Sequence, residues 1–144
     1  MKGSLMRISP VFLVAAAMIA CGGSDSTSPS GSVAGSYTAT QFITTGSSGQ
    51  TNQILAGSTL VINLAGNGTT TGHLHLAAQG GNPAFDADMA GTWSQSGTTV
   101  TFSQTADTFV RNTNFTAVAN GSTWALEGTG SFSGTAAVQI TLTQ

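Results

Sequence analysis

The chain has very few charged residues and a single cysteine. Of its 144 residues, three are lysine or arginine and five are aspartate or glutamate. Lys2 and Arg7 lie at the N-terminus, so Arg111 is the only basic residue after the first 20 positions. One cation cannot form the basic patch that holds a phosphate backbone, which argues against nucleic-acid binding. The only cysteine, Cys21, has no partner for a disulfide within the chain.

A basic and then apolar segment opens the chain. Lys2 and Arg7 precede an unbroken apolar run over residues 11–20. This run is too short to cross a bilayer as a helix, which takes about 20 apolar residues. Residues 1–20 are therefore typical of a secretory signal peptide.

The end of this leader resembles the lipobox of bacterial lipoproteins, whose usual form is Leu-(Ala/Ser)-(Gly/Ala)-Cys. Met18, Ile19, Ala20 and Cys21 stand in these positions, and the last two match. The resemblance implies that the Cys21 sulfur receives a diacylglycerol, that cleavage precedes Cys21, and that the new amine is acylated. The membrane would then be a partner through this anchor. The alternative is a free structural thiol after an ordinary cleavage.

A Gly- and Ser-rich stretch follows the cysteine and separates it from the rest of the chain. Residues 22–32 contain no apolar side chain that could join a core, so 21–32 is predicted to be a lipidated cysteine with a flexible tether. Residues 33–144 then form one domain. In diderm lipoproteins Asp after the cysteine tends to retain the protein at the inner membrane. Gly22 therefore implies, by resemblance, the outer membrane of the cell envelope.

Apolar residues alternate with polar ones along most of the domain, which is typical of half-buried strands. Almost no helix is expected. Consecutive hairpins with one apolar face predict an all-β fold, an eight-stranded antiparallel up-and-down barrel, with a small β-sandwich as the alternative. The eight predicted strands cover residues 34–44, 59–64, 70–78, 85–95, 98–104, 109–119, 122–132 and 136–142.

Glycine-containing dipeptides between these runs predict tight turns and hence the register of the hairpins. Ser96-Gly97 and Asn120-Gly121 are each predicted as the two central residues of a turn. The first of these turns places Trp93 opposite Val100. Both predicted registers gather apolar side chains on one common face, and a slip of one residue would scatter them.

The start of the domain resembles the Gly-x-Trp/Tyr opening of lipocalin-like bacterial domains. Gly35-Ser36-Tyr37 carries this resemblance, and Gly91-Thr92-Trp93 repeats the pattern later. The opening aromatic is Tyr37 instead of tryptophan, and the final strand has no arginine to stack on it. No lipocalin binding residue is therefore transferred to this chain.

His73 and His75 are the only histidines, and their i, i+2 spacing places them on one face of a strand. Asp86 and Asp88 repeat that spacing on the next predicted strand. A turn at Gly80-Gly81 would set His75 opposite Asp86, and a longer loop would set it opposite Asp88. Two imidazoles and a carboxylate could bind a divalent metal such as zinc. The alternative is exposed cross-strand charge pairing.

Three further side chains are candidates for binding a ligand. Strand parity points Arg111 inward, where a bound anion could neutralise it, whereas a β-bulge would return it to solvent. Trp93 and Trp124 could form ligand platforms, although tryptophans in such positions are more often part of a core.

Three functions remain open from the sequence. The first is non-catalytic binding of a small or hydrophobic ligand in the mouth of the barrel. The second is a structural or interaction protein of the envelope with a filled core. The third is metal binding by the two histidines and two aspartates. No nucleophile elbow lies between a strand and a helix, so neither an enzyme nor a cofactor is predicted.

Overall fold

The structure, a computed structural model, describes residues 31–106, 108–132 and 136–144. These residues form ten strands and one 3₁₀ turn, with no α-helix. Within the described ranges, no helix has the length and apolar character needed to cross a membrane. The strands are β1 (Gly35–Gly46), β2 (Gly49–Asn52), β3 (Thr59–Leu64), β4 (Thr69–Leu76), β5 (Phe85–Asp88), β6 (Gly91–Ser96), β7 (Thr99–Gln104), β8 (Asn114–Asn120), β9 (Thr123–Phe132) and β10 (Ala136–Thr143).

The sheet closes on itself because β1 pairs with β10 along one edge and with β3 along the other. Around the barrel the order is β1, β3, β4, β6, β7, β8, β9 and β10, and every pairing is antiparallel. β2 pairs with β1 on the same side as β3, and β5 pairs with β4 on the same side as β6. The predicted eight-stranded up-and-down barrel is confirmed, and the sandwich alternative is not adopted.

β5 and β6 are two parts of one barrel strand, as the predicted run over residues 85–95 implied. Both pair with β4 in a single continuous register, and only Met89 and Ala90 separate them. Opposite this break, Gly72 on β4 has a φ of +139°, and a Cβ there would collide with the Val61 carbonyl oxygen. A glycine is therefore required where two backbones approach this closely in the curved wall.

The alternating strand pattern directs one face of every strand into the barrel. β3 shows it most clearly, with exposed and buried residues in strict alternation. Burial of each large apolar side chain stabilises the fold by about 1.5–3 kcal/mol, so this interior is the main source of stability. The largest fully buried side chains in the barrel are Tyr37, Phe42, Leu60, Ile62, Leu64, Leu74, Met89, Phe115, Leu126, Ile140 and Leu142.

Two of the predicted hairpin registers are wrong by two residues. Ser96 pairs with Thr99, so the turn is Gly97-Thr98 and Trp93 lies opposite Phe102. In the same way the β8–β9 turn begins at Gly121 instead of ending there. Both glycines have φ near +60°, which glycine adopts without strain, and they occupy the first central position of their turns. A shift of two residues leaves every side chain on its predicted face.

One end of the barrel is covered by the residues that precede β1. Val33 is fully buried, and its amide donates to the Gln95 Oε1 on β6 over 3.3 Å. The Tyr37 hydroxyl, itself inside the barrel, donates to the Val33 carbonyl oxygen over 2.7 Å. The chain thus crosses the barrel end from β1 to β6 and places an apolar side chain over the core.

The 3₁₀ turn Phe109–Asn112 covers the opposite end, where the sequence pattern predicted the start of a strand. Phe109 and Val110 are both buried, and the Phe109 ring lies 5.1 Å from the Phe42 ring, centroid to centroid. Two adjacent apolar residues can both point inward in a tight turn, whereas in a strand they would face opposite sides. The strand prediction for residues 109–113 is therefore wrong, and β8 begins at Asn114.

Small residues on β9 make room for the side chains next to this turn. A Cβ on Gly128 would lie 2.8 Å from the Thr113 Cγ2 and 2.9 Å from the Phe115 ring. The Thr113 hydroxyl donates to the Phe109 carbonyl oxygen over 2.7 Å, which secures its polar atom inside the core. The space left by a missing side chain on β9 is thus occupied by Thr113, which follows the 3₁₀ turn, and by Phe115 on β8.

We expect Gly128→Ala to lower the free energy of unfolding by about 1–3 kcal/mol, because the added methyl group would overpack a filled interior. Urea denaturation monitored by tryptophan fluorescence measures the change. Gly46→Ala is the matched control, since a Cβ at Gly46 has no atom within 4 Å. Equal stability of the two variants would mean that the interior beside Gly128 can accommodate a further group.

Candidate functional site

The two histidines and two aspartates come together on the outer face of β4 and β5. His73 pairs with Asp88 and His75 pairs with Asp86 across the two strands. This is the register that a tight Gly80-Gly81 connection predicts, and it confirms that the four side chains share a face.

Asp86 is the centre of this cluster. Its Oδ1 lies 3.0 Å from the His73 Nε2 and 2.8 Å from the His75 Nδ1, so both rings can donate to one carboxylate oxygen. The second ring nitrogen of His73, Nδ1, lies 3.6 Å from the Asp88 Oδ1. His73 and Asp86 are each more than half exposed, so water screens these pairs.

The hydrogen bonds shift the protonation of two members of the cluster. The hydrogen bond with Asp86 raises the pKa of His73, because the carboxylate favours the charged imidazolium. Hydrogen bonds first from His75 and then from His73 lower the pKa of Asp86, because they favour its ionised form. The pair is thus most strongly bound when His73 is protonated and Asp86 is ionised.

The cluster has the geometry of hydrogen bonding and not that of a metal centre. Within the described ranges, no group of three or more His, Cys, Asp or Glu residues has an arrangement that could hold a metal ion. The ring nitrogens of His73 and His75 point at one oxygen of Asp86, where a metal would require all three to converge on a common point. These contacts instead link β4 to the short strand β5.

Phe85, at the start of β5, does not join the core as its predicted face implied. Ala87 on the same strand and Met89 just after it are buried, but Phe85 is 43 % exposed. It lies opposite Leu76 at the end of β4, where β5 pairs with β4 alone. The prediction that Phe85 joins the core is wrong because this residue lies beyond the end of the closed barrel wall.

Both tryptophans contribute to packing. Trp93 and Trp124 are partly buried and lie against the core cluster. The Trp93 indole donates to the Ala65 carbonyl oxygen over 2.8 Å, which ties β6 to the loop between β3 and β4. This supports the interpretation of Trp93 as a core residue.

Arg111 lies in the 3₁₀ turn and is exposed. The sequence allowed either an inward side chain on a strand or a β-bulge that returns it to solvent. Neither local structure forms. The tight turn directs Phe109 and Val110 to the core and Arg111 outward, so solvent exposure arises without a bulge. Cys21, the predicted lipid attachment site, lies outside the described residues, as does most of the predicted tether.

Comparisons of this chain with protein-family models, curated proteins and solved structures give no match. The functional argument therefore depends on the residues and their geometry.

The His73–Asp86 pair predicts a stability maximum in mildly acidic solution. The lowered pKa of Asp86 contributes stability above the ordinary carboxyl value of about 4, and this is lost as the pH falls through the folded-state pKa. The raised pKa of His73 contributes stability below about 6.5, and this is lost as the pH rises through its folded-state pKa. Urea midpoints between pH 3 and pH 9 should thus be highest between about 4 and 6.5.

Asp86→Asn should remove most of this maximum, since it eliminates the carboxylate that both rings contact. Asp88→Asn is the control, because Asp88 makes only the longer contact with His73. A pH profile of Asp86→Asn that is superimposable on that of the parent chain would contradict the assignment.

Proposed function

We propose that this protein is a lipid-anchored protein of the bacterial cell envelope whose barrel is a non-catalytic scaffold that makes its contacts through its outer surface. The lipobox resemblance at Cys21 supports the anchor, and Gly22 favours the outer membrane. The filled interior supports the scaffold, and it is the observation that carries the proposal.

Large side chains are buried inside the barrel, where a carrier protein would hold its ligand. Tyr37, Phe42 and Phe115 are fully buried there. Val33 covers one end and the 3₁₀ turn Phe109–Asn112 covers the other. An eight-stranded barrel is just wide enough for side chains to fill it, and these residues use that width. The packing thus favours an interaction protein over a carrier of a small hydrophobic ligand.

The proposed anchor meets the barrel at the end that Val33 covers. Gly35 begins β1 at this end, and the Ala34 carbonyl oxygen accepts a hydrogen bond from the Gln144 side chain. The tether of 11 residues extends at most about 35–40 Å. A tether of this length can hold the domain clear of the bilayer. The outer wall of the barrel then stays accessible on all sides.

Metabolic labelling with palmitate tests the anchor. We expect the parent chain to incorporate label and to sediment with membranes, and Cys21→Ser to lose both properties, because the substituted residue cannot form the thioether. Gly22→Asp is the matched control, which should retain the label but move from the outer to the inner membrane of a diderm host. Labelling that persists in Cys21→Ser would contradict lipid attachment at this residue.

Native mass spectrometry of the full chain, extracted gently from its own envelope, tests the filled barrel. We expect the mass of the lipidated chain with no further adduct, because the interior is occupied by its own side chains. Phe42→Ala is the control for sensitivity, since loss of the whole ring opens space beside Phe109 that an apolar probe such as benzene can enter. A reproducible adduct of lipid mass on the parent chain would overturn the scaffold in favour of a carrier.

A further inference from the structure

A groove of about 360 Å³ crosses the outer wall of the barrel over β8, β9, β10 and β1. This volume is within the range of small-molecule binding sites, about 300–1,000 Å³. The side chains that project into it are threonines, amides and one glutamate. No lysine, arginine or aromatic residue is among those that line it.

Four side chains form a straight row across the groove. Thr116 lies opposite Glu127, Glu127 lies opposite Thr141, and Thr141 lies opposite Gln41. Neighbouring strands are about 4.8 Å apart, so the row spans about 14 Å. Within it the Thr141 hydroxyl donates to the Gln41 Oε1 over 3.1 Å, which orients that amide.

A second row runs parallel to the first, two residues along each strand. Asn114 lies opposite Thr129, and Thr129 lies opposite Gln139. The two rows are about 7 Å apart, because side chains on one face of a strand repeat at that spacing. The groove thus presents hydroxyls, amides and one carboxylate in a regular array with Glu127 near its centre.

The chemistry of the array excludes several classes of ligand. Because no cation lines the groove, it cannot form charge-assisted hydrogen bonds with a phosphate or sulfate group. Without an exposed apolar surface it cannot hold a lipid chain, since the one aliphatic residue in the lining, Ile140, is buried in the core. All four strands have neighbours on both sides in the closed sheet, so a peptide cannot add to it as a further strand.

We propose that this groove binds a neutral saccharide chain. Sugar hydroxyls both donate and accept, as do the amides of Gln41, Asn114 and Gln139, and threonine hydroxyls can take either role. Glu127 accepts two hydroxyl donors in charge-assisted hydrogen bonds and fixes the sugar ring at the centre of the array. The proposal rests on the proposed function, since it names the ligand class for an outer-surface contact.

The test is a titration of the full chain, labelled with ¹⁵N and held in a zwitterionic detergent that contains no sugar. Chitotriose, cellotriose and maltotriose are the probes, with inorganic phosphate as the anionic comparison. We expect at least one trisaccharide, and not phosphate, to shift backbone amide resonances at Thr116, Glu127 and Thr141 at millimolar concentration. Glu127→Gln should bind about tenfold more weakly, because it loses the charge assistance but keeps the shape.

Two bulky substitutions on outer strand faces provide the matched comparison. Thr129→Tyr should block the shifts, because the ring fills the groove. Thr101→Tyr, on the exposed face of β7, should leave them unchanged. Shifts that persist in Thr129→Tyr, an equal loss in Thr101→Tyr, or no shift with any trisaccharide would overturn the saccharide site. None of these outcomes would contradict the proposed scaffold function. A lipid adduct in the native mass spectrum would contradict it, whether or not a trisaccharide binds.

Discussion

Pairing of the first strand with the last holds this molecule closed. β1 and β10 are in register from the Thr38–Thr143 pair to the Thr45–Ala137 pair, with one irregularity between Ala39 and Gln41. Such a bulge increases local twist and helps a sheet to curve back on itself. Without this pairing both strands would be free edges, able to pair with other chains. The contacts join residues about 100 positions apart, so closure must await most of the chain.

Closure of the sheet also determines how much space the interior offers to side chains. Eight strands enclose a space that side chains can fill, and this chain fills it partly from outside the strands. Val33 and the 3₁₀ turn Phe109–Asn112 are non-strand segments that supply apolar groups to the two ends. Gly128 would leave a gap in a barrel built of strands alone, and Thr113 with Phe115 takes that place. Both ends of this barrel are therefore covered by connecting segments.

The sequence predicts the strands and their faces well because period-two alternation reports which side is buried. It also predicts that His73, His75, Asp86 and Asp88 share one face, and it leaves open two registers, of which the one with His75 opposite Asp86 forms. It does not decide whether a turn glycine stands first or second, so two registers shift by two residues. It misses the plug at Phe109, although adjacent Phe109 and Val110 already break the alternation. The sequence does not predict the outer groove, because the groove depends on the register of four strands. One of their pairings, β1 with β10, is not determined by a local turn.

The proposed anchor at Cys21 would give the barrel a mechanical direction. The chain enters at Gly35 and runs straight into β1, which pairs with β3 over Gly35–Thr38 and with β10 from Thr38 onward. Gln41, at the edge of the groove, belongs to this same strand. A pull between the membrane and a ligand on that wall would act along β1. Hydrogen bonds perpendicular to the pull share such a load instead of breaking one after another, so under the proposed anchoring β1 would resist shear.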